Sequence, residues 1–424
     1  MGQKIELHWM GKENDVSIQP CILREDISFG YGDKEAENML IQGDNLLALH
    51  ALESTCSEKI KCIYIDPPYN TETIFEYYDD SVEHSAWLSL MRERLLILQK
   101  LLATDGIICV QIDDNEMAYL QIVMDEIFGR GNRINTICVN MSNMSGPKVN
   151  GAIQGKRFPK LKEYILLYAK DRHQYSLQIP KYQKKDWDEE YNYIIPELTR
   201  KDIAMFEKGD WTSFQEVLKK CTLHSLKEYM RQNNIQDEQW KKENAYRICA
   251  SKPNKALRKI AITKEVFSSA LALIETSTGL HKIIKTDFNR DSRTARIEMV
   301  FAEKNRDVYF GDHWDDIVTT GGIAQEGGVH FPKSKKPEKL LHRILETTTQ
   351  KDDWVLDAFL GSGTTAAVAH KMGRKWIGIE LGAHAKTHCA ARLRAVIDGE
   401  QGGISRLMDW NGGGGYRYYH VVSQ

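Results

Sequence analysis

The segment IKCIYIDPPYN, residues 60–70, decides the fold class of this chain. Its first six residues form an almost continuous apolar run, which predicts a strand buried on both faces of an α/β sheet. Ligands of open α/β sheets bind at the carboxyl ends of the strands, and the polar loop that begins at Asp66 lies at such an end. The loop is therefore a candidate site.

The chemistry of this first loop is unusual because it is rich in acceptors. Pro67 and Pro68 have no N–H groups, so the loop offers the Asp66 carboxylate and bare carbonyls but almost no donors. Such a site suits an amino group, including the exocyclic amine of a nucleobase, whose nitrogen gains positive charge during attack. Tyr69 offers a flat face on which a flipped base stacks. The alternative is a proline-rich turn in which Asp66 caps the next helix.

A second candidate loop, DAFLGSGTT at residues 357–365, follows another short apolar strand. Gly361 and Gly363 allow a tight turn beside a ligand, and the next strand ends in Glu380, where a carboxylate holds ribose hydroxyls. Lysine does not follow the glycines, so this is not a Walker-type phosphate loop. By itself the loop indicates a nucleoside cofactor and also fits a dinucleotide.

Strand and helix patterns alternate around these loops, as in an α/β fold. We predict helices at residues 44–51, 87–102 and 116–128, and a further helix that follows the second loop and extends to about residue 372. We predict strands at residues 60–65, 107–112, 163–169, 296–301, 354–356 and 375–379, with a terminal hairpin strand at 416–422.

Composition excludes several classes of protein. The chain has 424 residues, 42% of them hydrophobic, which excludes disordered, collagen-like and small disulfide-bonded proteins. With 57 Lys and Arg against 59 Asp and Glu, any polyanion site must come from local clustering. The eight cysteines lack zinc-site or disulfide spacing, and no signal sequence or apolar run of 18 residues is found. We therefore expect a soluble, cytoplasmic protein.

Residues 171–290 have a different sequence pattern. Long polar segments with helical spacing indicate an inserted domain. Between residues 241 and 259, seven cations face one acid, Glu243, which is a local excess of six positive charges. We predict that these cations contact DNA phosphates, although a solvated helix face is nearly as good an interpretation. They are Lys241, Lys242, Arg247, Lys252, Lys255, Arg258 and Lys259.

Taken together, the two loops resemble those of the amino-methyltransferases that modify DNA, with DPPY as the catalytic motif and FxGxGT as the S-adenosylmethionine motif. Their order, with the catalytic loop first, resembles the β class of these enzymes. Further segments, at residues 40–52, 69–80, 87–102 and 112–116, resemble the modification subunits of type III restriction systems. Residues 334–340 with Arg343 resemble the KPxxL segment of this class. The resemblance covers roughly residues 41–169 and 312–391.

The resemblance implies a Rossmann-like, S-adenosylmethionine-dependent methyltransferase sheet with helices on both faces and an inserted, mainly helical target-recognition domain. The implied divisions are an N-terminal extension (1–40), a catalytic half (41–170), the target-recognition domain (171–290), a cofactor-binding half (291–400) and a C-terminal hairpin or strand (401–424).

Carried over residue by residue, the resemblance also implies site roles. Asn70, Thr71, Tyr77 and Tyr78 would border the pocket on a mobile loop, or be ordinary packing residues. The residues that handle the target base are Asp66, Pro67, Pro68 and Tyr69. The residues expected to bind the cofactor are Asp44, Lys336, Pro337, Asp357, Phe359, Gly361, Gly363, Thr364 and Glu380.

The function that this implies is transfer of a methyl group from S-adenosylmethionine to N6 of adenine in a short sequence of double-stranded DNA, without a metal. Cytosine N4 is the close alternative, although DPPY rather than SPPY favours adenine. An NAD-dependent Rossmann oxidoreductase would explain the second loop but not the first, and a DNA-specificity protein with a dead catalytic site would not need an intact Asp66. A homodimer and a separate restriction subunit are the expected partners; the sequence carries no helicase or nuclease motif.

Overall fold

The computed structural model describes residues 6–14, 19–70, 73–74, 79–80, 83–142, 147–184, 186–317, 323–331 and 335–423. The chain divides into two compact units. The first combines Met1–Pro180 with Phe310–Gln424, and the second is Lys181–Tyr309.

The strands, in chain order, are β1 (Cys21–Glu25), β2 (Tyr31–Gly32), β3 (Met39–Gln42), β4 (Ile60–Ile65), β5 (Thr73–Ile74), β6 (Asp79–Asp80), β7 (Leu102–Ile112), β8 (Arg133–Asn140), β9 (Lys162–Ala169), β10 (Lys181–Gln183), β11 (Tyr193–Ile194), β12 (His224–Ser225), β13 (Ile248–Pro253), β14 (Leu271–Glu275), β15 (His281–Lys285), β16 (Arg296–Phe301), β17 (Asp307–Tyr309), β18 (His313–Trp314), β19 (Trp354–Asp357), β20 (Lys375–Glu380) and β21 (Gly415–Ser423).

The α-helices are α1 (Asn45–Cys56), α2 (His84–Leu101), α3 (Met117–Met124), α4 (Pro147–Gln154), α5 (Arg200–Glu207), α6 (Trp211–Leu218), α7 (Leu226–Gln232), α8 (Glu238–Glu243), α9 (Lys255–Thr263), α10 (Glu338–Thr348), α11 (Thr364–Lys371) and α12 (Ala391–Ile397). Short π or 3-10 turns occupy Asp125–Gly129, Arg130–Asn132, Glu303–Asn305, Ile323–Gly328 and Ala385–Ala390.

An 11-stranded mixed sheet forms the centre of the first unit, in the order β1-β21-β3-β20-β19-β4-β7-β9-β8-β18, with β2 paired to β21. The strands from β21 to β7 run parallel to one another, and β9 is antiparallel to both β7 and β8. The fold is therefore α/β with a mixed sheet, as expected from the alternating sequence pattern.

Alternation along β4 explains why both faces of this sheet are covered. Cys62 and Tyr64 pack into a core under α10, α11 and α12, whereas Ile63 and Ile65 pack into a second core under α1, α2 and α3. Each of these four side chains is at most 1% exposed. A strand that must be apolar on both faces gives the continuous apolar run seen in the sequence.

The predicted elements around the loops are confirmed, with changes at their ends. The predicted bounds of β4 and β16 agree with the structure. Strand β7 begins at Leu102, earlier than predicted, because Leu102 pairs with Ile60. The predicted helix at 116–128 ends at Met124 and continues as the π turn Asp125–Gly129.

The terminal segment corrects one prediction. Strand β21 is not part of a hairpin; it lies within the main sheet, antiparallel to β1 and parallel to β3. Its buried residues Tyr416 and Tyr418 belong to the core beneath α10. A strand pattern shows that a segment is extended but does not identify its partner in the sheet.

The second unit corrects the prediction of a mainly helical insert. It contains a six-stranded antiparallel sheet, in the order β12-β11-β13-β16-β15-β14, together with helices α5 to α9. The unit spans residues 181–309 rather than 171–290. The difference arises because β16, predicted to lie in the cofactor half, pairs with β13 and β15 of the insert.

No helix in the described ranges combines the length and the apolar character needed to cross a lipid bilayer.

Candidate active site at the carboxyl edge of the sheet

One edge of the main sheet gathers most of the predicted site residues. Because β3, β20, β19, β4 and β7 are parallel, their carboxyl ends meet at this edge. Strand β9 is antiparallel to β7, so its first residues lie at the same edge. The acidic residues brought there are Asp44, Glu380, Asp357, Asp66, Asp113 and Glu163.

Asp66 lies within a closed group of four polar side chains. Its Oδ1 accepts a hydrogen bond from the Tyr69 hydroxyl at 2.7 Å, and its Oδ2 lies 2.8 Å from Lys336 Nζ. Glu163 Oε2 completes the group, 2.8 Å from the Tyr69 hydroxyl and 3.6 Å from Lys336 Nζ. We call Asp66, Tyr69, Glu163 and Lys336 the catalytic cluster.

The Tyr69 hydroxyl stands between two carboxylates but has one hydrogen, so it donates to one of them at a time. Contact with the other carboxylate is favourable when that group is protonated or when the hydrogen is shared. The arrangement therefore provides a short path along which a proton moves between Asp66 and Glu163.

Charge and burial shift the pKa values in the catalytic cluster. Burial raises the pKa of Asp66 above its ordinary value, although Lys336 opposes the shift. Burial tends to lower the pKa of Lys336, but the charges of Asp66 and Glu163 outweigh burial and raise that pKa. Burial and the two carboxylates raise the pKa of Tyr69 well above its usual value. Lys336 therefore remains charged and favours ionised Asp66.

Glu163 is a site residue that the sequence interpretation missed. Its carboxylate also accepts from Gln111 Nε2, and Gln111 in turn accepts from the buried Tyr64 hydroxyl at 2.5 Å. The available signal was a glutamate at the start of a predicted buried strand. That signal was ambiguous, because only the antiparallel pairing of β9 with β7 brings the start of β9 to this edge.

The two prolines have different surroundings. Trp87 Nε1 donates to the Pro68 carbonyl at 2.8 Å, whereas no donor bonds the Pro67 carbonyl among the described residues. The interpretation of Asp66 as a helix cap is wrong, because Glu83 caps the next helix, α2. The loop thus presents the Asp66 carboxylate beside a carbonyl with unused acceptor capacity.

Asn70 follows the prolines in a left-handed conformation, with φ of 56°. Its Nδ2 donates to Glu116 Oε1 at 2.8 Å, and His84 Nδ1 lies 2.9 Å from the same oxygen. These contacts attach the end of the loop to the turn after β7. Thr71, Tyr77 and Tyr78, which were predicted to border the pocket, lie outside the described residues, as does Ser334 of the KPxxL-like segment.

A cleft of about 510 Å³ opens beside the catalytic cluster. Glu163 and Asp113 are among the residues that line it, and Lys160 Nζ lies 2.5 Å from Asp113 Oδ2. Burial raises the pKa of Asp113, opposed by Lys160. The volume lies within the range of pockets that bind small organic ligands.

The second loop begins at Asp357, which is 2% exposed. Its carboxylate accepts from the Phe359 N–H at 2.9 Å and from the Thr365 hydroxyl at 2.6 Å. Burial raises the pKa of Asp357 to about 7, and the nearby charges of Asp66 and Glu380 contribute to the shift. The charge of Asp66 reaches Asp357 because their strands, β4 and β19, are neighbours in the sheet.

The glycines of the second loop adopt conformations that other residues rarely adopt. Gly361 and Gly363 have φ of 57° and 80°, and a Cβ on Gly363 would lie 3.3 Å from the Cys389 Cα. Thr364 begins α11, and its hydroxyl accepts from Arg392 Nη1 at 2.7 Å. The Thr364 hydroxyl therefore links the start of α11 to α12, on which Arg392 lies.

Glu380 lies where a ribose-binding carboxylate was predicted, at the end of β20, and is 4% exposed. Its Oε2 accepts from the Gly361 N–H at 2.6 Å, and its Oε1 accepts from the Leu381 N–H at 2.8 Å and lies 2.9 Å from His384 Nε2. A buried carboxylate next to a left-handed glycine loop fits a nucleoside cofactor. The residues present therefore match the predicted group in chemistry.

Three cofactor predictions concern residues with structural partners of their own. Asp44 caps α1 through the Leu46 N–H at 2.9 Å and lies 3.5 Å from Arg94 Nη2. Pro337 is buried and precedes α10. Lys336 contacts the catalytic cluster, so its ammonium lies closer to the predicted catalytic residues than the sequence interpretation expected.

The seven cations of the insert are less uniform than their sequence suggests. Lys241 Nζ lies 3.5 Å from Glu189, and Lys252 forms an ion pair with Glu190, so acids from a distant part of the chain balance two of them. Arg247 Nη1 donates to the Pro196 carbonyl at 2.7 Å. Lys242 and Arg258 are half-buried, and the Arg258 guanidinium donates to the Arg290 carbonyl. The exposed members are Lys255 and Lys259 on α9.

Comparison with known proteins identifies a family. A family model described as DNA methylase (N6_N4_Mtase) matches residues 60–391, from β4 to the start of α12. Among solved structures, PvuII DNA methyltransferase (cytosine-N4-specific) aligns with a TM-score of 0.43 and 13% identity over 84% of this chain and 86% of that one, which is too distant to carry an argument.

Curated relatives extend the similarity over most of this chain. The probable type III restriction-modification enzyme HindVI Mod subunit of Haemophilus influenzae is 36% identical over 91% of this chain and 54% of its own length. The EcoPI Mod subunit of Escherichia phage P1 is 27% identical over 87% of this chain and 61% of its own length. The StyLTI Mod subunit of Salmonella typhimurium is 27% identical over 79% and 50%. The chain thus spans about half the length of the curated relatives it matches.

Proposed function

The chain belongs to the DNA methylase family, and on that premise we propose that it transfers a methyl group from S-adenosylmethionine to N6 of adenine in a short sequence of double-stranded DNA. One observation carries the proposal: the Asp66 carboxylate is paired with Lys336 and is followed by the Pro67 carbonyl, to which no group in the described part of the chain donates. Two adjacent acceptors, one of them charged, match the two N–H groups of an exocyclic amine.

The first role of the site is to orient the amine. Hydrogen bonds from its N–H groups to Asp66 and to the Pro67 carbonyl favour a pyramidal nitrogen whose lone pair is available for attack. Lys336 Nζ lies 5.0 Å from the centre of the Tyr69 ring. A base that stacks on Tyr69 therefore uses the ring face away from Lys336.

The second role is to stabilise the charge that develops. S-Adenosylmethionine supplies, when bound, a methyl group on a positively charged sulfur, and no metal is required. The amine would take up this methyl group and the cofactor would leave as a neutral thioether, so the positive charge would move to the amine beside Asp66. Asp66 stabilises the resulting ammonium and accepts its surplus proton, and the Tyr69 hydroxyl passes that proton to Glu163, which lines the cleft.

The cofactor roles follow from the second loop. We propose that Glu380 binds the ribose hydroxyls of the cofactor. Gly361 and Gly363, in left-handed conformations, let the backbone of the loop approach the cofactor closely. The Phe359 N–H donates to the Asp357 carboxylate, and this hydrogen bond shapes the turn at the start of the second loop. Asp44, Pro337 and Thr364 remain proposed cofactor residues that also have structural partners.

Specificity and partners are parts of the proposal. The relatives named as Mod subunits of type III restriction-modification enzymes favour modification of DNA and a separate restriction subunit, and the DPPY motif favours adenine N6. The family name also covers N4 methylases, so cytosine remains the second candidate base. A homodimer and a cytoplasmic location in a bacterial or archaeal cell complete the proposal. An oxidoreductase activity gains no support from membership of a methylase family.

The test is methyl transfer from tritiated S-adenosylmethionine to unmethylated genomic DNA, followed by nucleoside analysis and sequencing of modified positions. Asp66→Asn keeps the size of the side chain but removes its charge, and we expect a rate loss of about a thousandfold with cofactor binding retained. Asp105→Asn is the matched control, because Asp105 is exposed and pairs with Lys61 before the buried part of β7.

The outcomes separate the alternatives. N6-methyladenine in one repeated motif supports the proposal, whereas N4-methylcytosine retains the mechanism and changes the base. A folded chain that binds S-adenosylmethionine but modifies no DNA, even with a restriction subunit added, contradicts the DNA substrate. Failure to bind the cofactor contradicts methyl transfer itself.

A further inference from the structure

Residues 155–162, which we call the basic tip, join α4 to β9 and border the cleft described above. Their sequence, GKRFPKLK, contains four cations and no acid. The Arg157 N–H donates to the Ala152 carbonyl at 3.0 Å, and the Leu161 carbonyl accepts from the Met141 N–H at 2.8 Å. Backbone hydrogen bonds thus fix the tip at both of its ends.

Phe158 lies at the centre of the basic tip with 96% of its surface exposed. An aromatic ring gains most of its favourable interaction by burial, so a ring this exposed is unusual without a partner. Pro159 follows it and restricts the local backbone, which lowers the entropy lost when the ring is covered. The ring is therefore presented to a partner at low conformational cost.

The charges around Phe158 indicate what kind of partner this is. Lys160 and Lys162 pair with Asp113 and Asp114, at 2.5 and 3.1 Å. Lys156 and Arg157 are exposed, and no acid within the described ranges forms an ion pair with either. Two unbalanced cations directly before an exposed aromatic ring match the phosphates and base faces of a nucleic acid.

The cleft connects this surface to the catalytic cluster. Both Arg157 and Glu163 line the cleft, and Glu163 contacts Tyr69 of the catalytic cluster. Its volume of about 510 Å³ suits a nucleotide-sized group. A base that leaves the duplex beside the basic tip would therefore enter the cleft near Asp66.

We propose that the basic tip binds duplex DNA at the target position, with Phe158 inserted into the base stack where the extruded nucleotide leaves a gap and with Lys156 and Arg157 on the flanking phosphates. The inference rests on the proposed function and deepens it, because it assigns extrusion of the base to residues of the methyltransferase unit rather than to the insert. Apolar side chains that enter a base stack offset the cost of unstacking.

The experiment compares the full chain with Phe158→Ala on two duplexes that carry the mapped methylation motif. In the first the target base is paired, and in the second it lies opposite an abasic site, so that it is already partly free. We expect Phe158→Ala to lower kcat/KM about tenfold on the paired duplex and less than about twofold on the abasic one. Loss of fold or of cofactor binding would lower both rates equally.

Three further variants sharpen the test. Ile153→Ala is the matched control, because Ile153 is also apolar and exposed (63%) but lies on α4 outside the basic tip; its rates should stay at the wild-type level on both duplexes. Arg157→Gln should weaken binding of all sequences alike and reduce the slope of log affinity against log salt by about one unit. Phe158→Leu should retain more activity than Phe158→Ala.

The results separate two failures. A wild-type chain that methylates both duplexes, with Phe158→Ala equally active on both or equally impaired on both, overturns the inference and leaves the proposed function intact. A wild-type chain that binds S-adenosylmethionine but methylates neither duplex overturns the proposed function, and with it this inference. Rescue of Phe158→Ala by the abasic duplex supports both.

Discussion

Two groups of buried charges in the first unit differ in how they are balanced. The first is the catalytic cluster, in which Asp66 and Glu163 share one cation, Lys336. The second, beneath α10, joins Glu338 to Lys371 Nζ at 2.8 Å and to Arg392 Nη2 at 2.7 Å. All three side chains of this second group, which we call the buried network, are fully buried.

The pKa shifts of the two groups have opposite signs. Burial tends to raise the pKa of Glu338, but Arg392 and Lys371 outweigh burial and lower it. At the sheet edge burial prevails, so that the pKa values of Asp66 and Asp357 are both raised. Glu338 is thus paired with two cations, which also contact Glu400 and Glu326, whereas Asp66 and Glu163 share the single cation Lys336.

The largest expected effect comes from breaking the buried network. Glu338→Gln leaves Lys371 with Glu400 and Arg392 with the more distant Glu326 as their remaining acids, and we expect it to lower the free energy of unfolding by about 3–5 kcal/mol. Chemical denaturation followed by circular dichroism measures this change. Glu346→Gln, an exposed change on the same helix, should cost less than about 0.5 kcal/mol. Equal free energies of unfolding for Glu338→Gln and Glu346→Gln would contradict the stabilising role of Glu338 in the buried network.

Replacing the Asp357 carboxylate by an amide should raise the free energy of unfolding, whereas the same replacement at Glu338 should lower it. Its raised pKa, about 7, means that the folded state keeps a proton that the unfolded state releases near pH 4, so stability falls as pH rises through this window. Asp357→Asn removes that loss and should stabilise the ligand-free protein at pH 8 by roughly 4 kcal/mol at most. The gain should vanish below pH 4.

The control for this prediction is Asp352→Asn, an exposed aspartate before the same strand, which should change stability little at either pH. Binding of S-adenosylmethionine, measured by calorimetry, should weaken in Asp357→Asn. A variant that is less stable than the wild type at pH 8 would show that the Asp357 carboxylate is not a cost to the fold.

A smaller effect is expected from changing the balance of charges in the catalytic cluster. Lys336→Met removes the cation that opposes the raised pKa of Asp66, so the acid limb of the pH–rate profile should move up by about one pH unit. Activity should recover in part at high pH, which a purely structural defect would not allow. Lys339→Met, on the exposed side of α10, should leave the limb in place.

The smallest effect is expected in the insert, where Lys241 and Lys252 pair with acids but the exposed Lys255 and Lys259 form no ion pair with any residue that the structure describes. Replacing both exposed lysines by Glu should weaken DNA binding and reduce its salt dependence, by about one unit of log–log slope per lost phosphate contact. Lys201→Glu, also exposed on the insert, is the control. Unchanged affinity and slope would remove these lysines from the DNA interface.

The sequence predicted those elements that depend on residues close together in the chain. The apolar run of β4, its acceptor-rich loop and the Gly361 and Gly363 turn were all identified correctly as elements of an α/β fold. Errors occurred where a strand had to choose a distant partner. Strand β16 joined the sheet of the insert and β21 joined the main sheet, because a strand pattern encodes burial and period but not pairing.

The sequence by itself determined the α/β class and the two loops, because each depends on contiguous residues: an apolar run followed by prolines, or glycines between a strand and a helix. Only the tertiary structure decided which charges meet. Glu163 and Lys336 lie far from Asp66 along the chain, and the antiparallel β9 and the segment before α10 bring them to it. The balance of a buried carboxylate depends on such long-range partners, since burial and opposite charges set its pKa together.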